Sequence, residues 1–90
     1  MNLDDLTYSE ILGALNKMDA THEITVERET FIPEADLIFC TFKGERFNLK
    51  YDLNYGPAIE AIGNLNSSDI ETITQLIMQQ HHAAANNKIK

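Results

Sequence analysis

The chain is short of cysteine and of positive charge: it has one cysteine, and seven lysines and arginines against 14 acids. The lone cysteine, Cys40, excludes an intramolecular disulfide and points to a reducing compartment. The shortage of bases argues against direct binding to DNA or RNA, because clustered Lys and Arg must replace the phosphate counterions. An acidic membrane surface would repel the chain for the same reason. No run approaches the roughly 18 apolar residues of a membrane span. The opening MNLDDLTYSE is acidic and lacks an apolar stretch, so no secretory signal is expected. These absences together predict a cytoplasmic protein.

Metal and catalytic signatures are also missing. His22, His81 and His82 have no spacing that sets two ligands on one helical face, and there is no HExxH or Cys/His cluster. Cys40 falls between Ile38 and Phe42 on a predicted buried face, where a thiol is a small hydrophobe rather than a nucleophile. Ser67 and Ser68 lie at a predicted helix start. Helix-turn-helix reading is disfavoured because the would-be reading helix, Asp69 to Gln80, has no Lys or Arg. No metal, cofactor or catalytic residue is expected.

Ninety residues with 43% apolar content specify one domain with a small core. Residues 1–85 read as that domain and 86–90 as a frayed polar tail. Setting aside Lys88 and Lys90 leaves five bases against the 14 acids.

Thr7 and Glu10 have capping-box spacing, and Leu6 and Ile11 sit at hydrophobic-staple positions. Tyr8, Ile11, Leu12, Leu15 and Met18 continue at helical spacing, so a helix is predicted from Tyr8 to Met18. His22 to Thr30 alternates as a strand, with Ile24 and Val26 on one side and Glu23, Thr25, Glu27 and Glu29 on the other. Pro33 to Asp36 is a turn. Leu37 to Lys43 and Arg46 to Leu53 form a hairpin about Gly44-Glu45. That register places Phe42 opposite Phe47, Cys40 opposite Leu49 and Ile38 opposite Tyr51, all six on the buried face. Pro57 suits the first position of a short second helix ending near Gly63. A capping box at Ser68 and Glu71 starts a third helix, with Ile70, Ile73, Leu76 and Ile77 as its stripe. The expected class is α+β: three helices and a three-stranded antiparallel sheet in the order α-β-β-β-α-α, the helices on one face.

The sequence concentrates acid between Asp19 and Asp36, where six acids accompany Arg28 alone. Glu23, Glu27 and Glu29 share one side of a period-2 pattern, so one face of the first strand should be acidic. Phe39 and Leu37 add apolar area beside it. An aromatic anchor ringed by Glu23, Glu27, Glu29, Glu34 and Asp36 would suit a basic protein partner.

The size, acidity and element order resemble small phage-encoded inhibitors, notably type II anti-CRISPR proteins that block an RNA-guided nuclease. The opening Met1-Asn2-Leu3-Asp4-Asp5-Leu6 is similar to the start of one such inhibitor. That resemblance implies nucleic-acid mimicry, in which carboxylates fill a basic groove. Bacterial toxin-immunity proteins are similar in size and charge. The expected function is a non-enzymatic inhibitor of a basic partner, a nuclease by preference. The alternative is a structural or regulatory subunit that acts through homodimerisation or assembly, using the third-helix stripe or a sheet edge.

Overall fold

The computed structural model describes residues 3–21 and 24–88, the last five as backbone only. Leu3–Asp5 form a 3-10 turn. Helix α1 (Tyr8–Thr21) is followed by strands β1 (Ile24–Ile32), β2 (Ala35–Phe42), β3 (Glu45–Asp52) and β4 (Gly56–Ala61), and helix α2 (Ser67–Lys88) closes the chain. The four strands form an antiparallel meander in the order β1-β2-β3-β4. The α+β class matches expectation, with four strands and two helices in place of three and three.

Helix α1 forms where its start signals lie. The Thr7 amide donates to Glu10 Oε1 at 2.8 Å, and the Glu10 amide donates to Thr7 Oγ1 at 3.2 Å. Each side chain thus satisfies a backbone donor that the first helical turn leaves orphaned. Leu6 and Ile11 are buried in the core. Ile11, Ala14, Leu15 and Met18 form the buried stripe of this helix.

The sheet offers that stripe a flat apolar partner. Ile38, Cys40 and Phe42 of β2 and Phe47 and Leu49 of β3 are buried on one face, and Ile24 of β1 joins them. Ile73 and Ile77 of α2 reach the same core. Both helices therefore cover one face of the sheet, and among the described residues no helix covers the other. No helix among them is long and apolar enough to cross a membrane.

Four local expectations are corrected. The hairpin turn is Lys43-Gly44, with φ of 53° and 79°. Positive φ at both central residues is the type I′ condition, whose twist matches the flanking strands. The register consequently places Cys40 opposite Phe47, Ile38 opposite Leu49 and Asp36 opposite Tyr51. This is a slip of two residues from the expected pairing. An even slip preserves the faces, so the six apolar residues still point inward.

The expected short helix after Tyr55 is strand β4. Only six residues separate Gly56 from Gly63, too few for period 3.6 to be told from period 2. β4 is an edge strand, where half of the amides face away from the sheet and Pro57 can be accommodated. Helix α2 is capped by Asn66 and Asp69 rather than by Ser68 and Glu71. The Asp69 amide donates to Asn66 Oδ1 at 2.9 Å, and the Asn66 amide to Asp69 Oδ2 at 3.2 Å. The helix then continues through Lys88, into the segment expected to fray.

The fourth correction concerns β1. Val26 pairs with Cys40 and Arg28 with Phe39, so Glu27 is an extra residue in a β-bulge. A bulge shifts the alternation of every residue beyond it. Thr25 opposes Thr41 on the open face, whereas Glu29 opposes Ile38 on the helix-covered face.

Lys43 pays for the tight turn with a left-handed backbone that costs a non-glycine residue about 1 kcal/mol. Its ammonium lies 5.3 Å from the Phe42 ring centroid, a contact that returns roughly 0.5 kcal/mol at an exposed site. Lys43→Asn should stabilise the chain by a few tenths of a kcal/mol, read as a higher urea midpoint, because Asn-Gly is the favoured I′ pair. A lowered midpoint would show that the cation–π contact outweighs the backbone strain.

Candidate functional site

The expected acidic docking plane is divided, because Phe39 faces away from Glu29 and Asp36. Glu27 is exposed at the bulge. Glu29 is on the helix side of β1, and Asp36, half-buried on β2, is on the same side, opposite Phe31 and Tyr51. Glu34 is exposed in the turn after β1, where its carbonyl accepts the Leu53 amide at 3.1 Å. Phe39 is half-buried on the opposite, open face. Glu23 and His22 lie outside the described residues. The acids and the aromatic anchor therefore do not share a surface.

The helix side gathers acid around Tyr8. The Tyr8 hydroxyl donates to Glu29 Oε1 at 2.5 Å. Its ring packs edge-on against Phe31 and Tyr51, each with centroids 6.2 Å away. Burial, the hydrogen bond to Glu29 and the nearby charges of Glu29 and Asp36 all push the phenol above its ordinary value of 10.0. Tyr8 therefore stays protonated and keeps donating, which joins the start of α1 to β1. At the other end of α1, Asp19 Oδ1 accepts the Val26 amide at 3.1 Å, next to the bulge. Two α1 side chains thus hold β1 on either side of Glu27.

The open face has a different character. Its register rows can be followed across all four strands. Arg28, Phe39, Asn48 and Glu60 form one row; Thr30, Leu37, Lys50 and Ala58 form the next. Arg46 and Asp52 lie on β3 on either side of these rows, opposite Thr41 and Ala35. The bulge turns Arg28 onto this face, where its guanidinium sits 4.7 Å from the Phe39 ring centroid. Asp52 Oδ1 accepts the Asn54 amide at 2.8 Å and the Tyr55 amide at 3.0 Å. These two bonds hold its carboxyl below the ordinary 3.8 and keep it charged.

The two sides separate the charge. The open face carries Arg28, Arg46 and Lys50 against Asp52 and Glu60. Of the 14 acids, setting aside these two and Glu23 leaves eleven on the rest of the surface. Among the described side chains only Lys17 and Lys43 oppose them there. The sequence showed the total charge but not its partition, because a bulge leaves no mark in a period-2 pattern.

His81 Nε2 is 3.7 Å from Glu10 Oε2, a contact between the two helices. Among the described residues no three His, Cys, Asp or Glu side chains are grouped to hold a metal ion. Burial, with smaller contributions from Asp19 and Glu27, pushes the Cys40 thiol up to about 12. No polar or charged side chain among the described residues is buried.

Comparison with protein-family models, with curated proteins and with solved structures yields no match.

Tyr8→Phe keeps the ring contacts and removes the donor to Glu29. It should lower stability by about 0.5–1.5 kcal/mol in urea unfolding, the net value of one such bond. An unchanged midpoint would mean that the bond contributes nothing to the helix–strand junction. Cys40 should resist a thiol-specific disulfide reagent at pH 8 in the native chain and react fully once the chain is unfolded, since the thiolate is the nucleophile. Rapid labelling of the folded chain would contradict its placement in the core.

Proposed function

We propose that this protein is a non-enzymatic binding protein that captures a basic protein partner on its acidic, helix-bearing side. The supporting observation is the partition of charge among the described side chains: eleven acids oppose Lys17 and Lys43 outside the open sheet face. A surface of one sign raises the on-rate for a partner of the other sign and disfavours wrong partners.

Grooves that normally hold a phosphate backbone are lined with Lys and Arg. A nuclease is accordingly the partner class that this surface fits best, with inhibition by occupation of its nucleic-acid groove. The docking residues on this reading are Glu27, Glu29, Glu34 and Asp36, with Phe31, 64% exposed, as the apolar contact in place of Phe39. Neutralisation of a basic toxin would use the same surface.

The test is capture from a host lysate at about 0.05 M salt, followed by association kinetics with the captured protein. A double variant, Glu27→Lys with Glu34→Lys, reverses two exposed charges away from the Tyr8–Glu29 bond. It should slow association about tenfold or more at low salt, and the difference should shrink at about 0.5 M, where the screening length falls to a few ångströms. Equal rates for the two chains at low salt would remove this side of the molecule as the docking surface.

A further inference from the structure

We infer that the open sheet face is a two-fold interface between two copies of this chain. Repulsion between acidic copies limits how they can meet. The formal charge is −7 at neutral pH, and the excess acid lies off the open face. Two copies that meet through any other surface bring acid against acid. Among the described side chains the open face has a near balance of charge, and it holds the half-buried pair Leu37 and Phe39.

Its pattern is self-complementary about one point. Ile38 and Leu49 are paired in register and point inward, toward the helices. On the open face the residues flanking them are Leu37 and Phe39 on β2, and Lys50 and Asn48 on β3. A two-fold axis that crosses the strands above the Ile38–Leu49 pair reverses position along each strand while keeping the strand. It lays β2 on β2 and β3 on β3 of the second copy. Phe39 then meets Leu37 of the second copy, and Leu37 meets its Phe39. Three residues on either side of Leu49 lie Arg46 and Asp52. The same operation sets Arg46 over Asp52 of the second copy, and Asp52 over its Arg46.

The flanking strands obey the same symmetry. On β1, Arg28 and Thr30 flank Glu29, which pairs with Ile38. On β4, Ala58 and Glu60 flank Ile59, which pairs with Leu49. Arg28 therefore falls over Thr30, and Glu60 over Ala58, with no like charge directly opposed. The result is an apolar centre with a charge pair at each end of β3. This is the usual arrangement of an isologous contact, an apolar middle within a polar rim.

The area sets the strength. Strands about 4.8 Å apart with about 3.4 Å per residue give roughly 500 Å² of face per copy, or about 1,000 Å² in total. That is near the lower limit for a specific contact, so the dimer is weak and depends on concentration. Salt screens the repulsion between two strongly acidic copies. The dimer therefore persists at high salt, unlike the capture of a basic partner, so the two readings fail separately.

Sedimentation equilibrium of the full chain, at about 0.15 M and 0.5 M salt, reads the proposal. The expected result is a reversible monomer–dimer equilibrium. Arg46→Glu alone should weaken it about tenfold or more, as should Asp52→Lys alone, since each sets like charges over each other at both ends. Mixing the two variants should restore dimers of one chain of each kind. Phe39→Lys leaves the charge pair and the Asp52-capped turn intact, and it should also abolish the dimer. Circular dichroism checks that each variant is folded. A wild-type chain that stays monomeric up to millimolar concentration would overturn the inference. So would a dimer that survives Arg46→Glu or folded Phe39→Lys, or folded charge variants that fail to pair when mixed.

Discussion

One apolar face of a four-stranded meander has to be kept from water, and the rest of the structure follows from that demand. Ile38, Cys40 and Phe42 alternate on β2, and Phe47 and Leu49 on β3, so the hairpin alone presents a continuous apolar strip. A hairpin of this kind is marginal until something packs on it. The stripes of α1 and α2 supply that cover. Both helices lie on one side, and among the described residues no helix covers the other side of the sheet. Every later property, including the partition of charge, depends on that asymmetry.

The bulge at Glu27 determines which charges go where. In a regular strand Glu27 and Glu29 would face the same way and Arg28 the other. The extra residue instead lets Glu29 reach the Tyr8 hydroxyl while Arg28 lies over Phe39. Two α1 side chains hold the strand on either side of this irregularity, Tyr8 through Glu29 and Asp19 through the Val26 amide. An exposed strand with a local defect could slip in register; these two anchors on a packed helix oppose that.

Features governed by neighbours in the sequence were legible in it. The capping box at Thr7 and Glu10 needs only a separation of three, and it forms as read. The inward set on the hairpin depends on parity, which survived a turn placed one residue too late. Features governed by distant partners were not legible. Whether residues 56–61 coil or extend depends on an open edge at β3, which no local pattern reports. Asn66 and Ser68 are both good N-cap residues, and a shift of two in the cap leaves the apolar stripe unchanged. The acidic plane was inferred from unbroken alternation through Glu23, Glu27 and Glu29, and one inserted residue is enough to undo it.

The two outer strands also limit what the sheet can become. A free strand edge is a template on which another backbone can grow, and repeated addition leads to filaments. Here Pro57 removes a donor from one margin, and the Glu27 bulge breaks the hydrogen-bonding rhythm of the other. Neither margin offers a long, regular ladder to an incoming chain. A chain this small, with so much β-structure near its surface, is thereby steered away from edge-to-edge growth, and its contacts with other molecules are left to side chains.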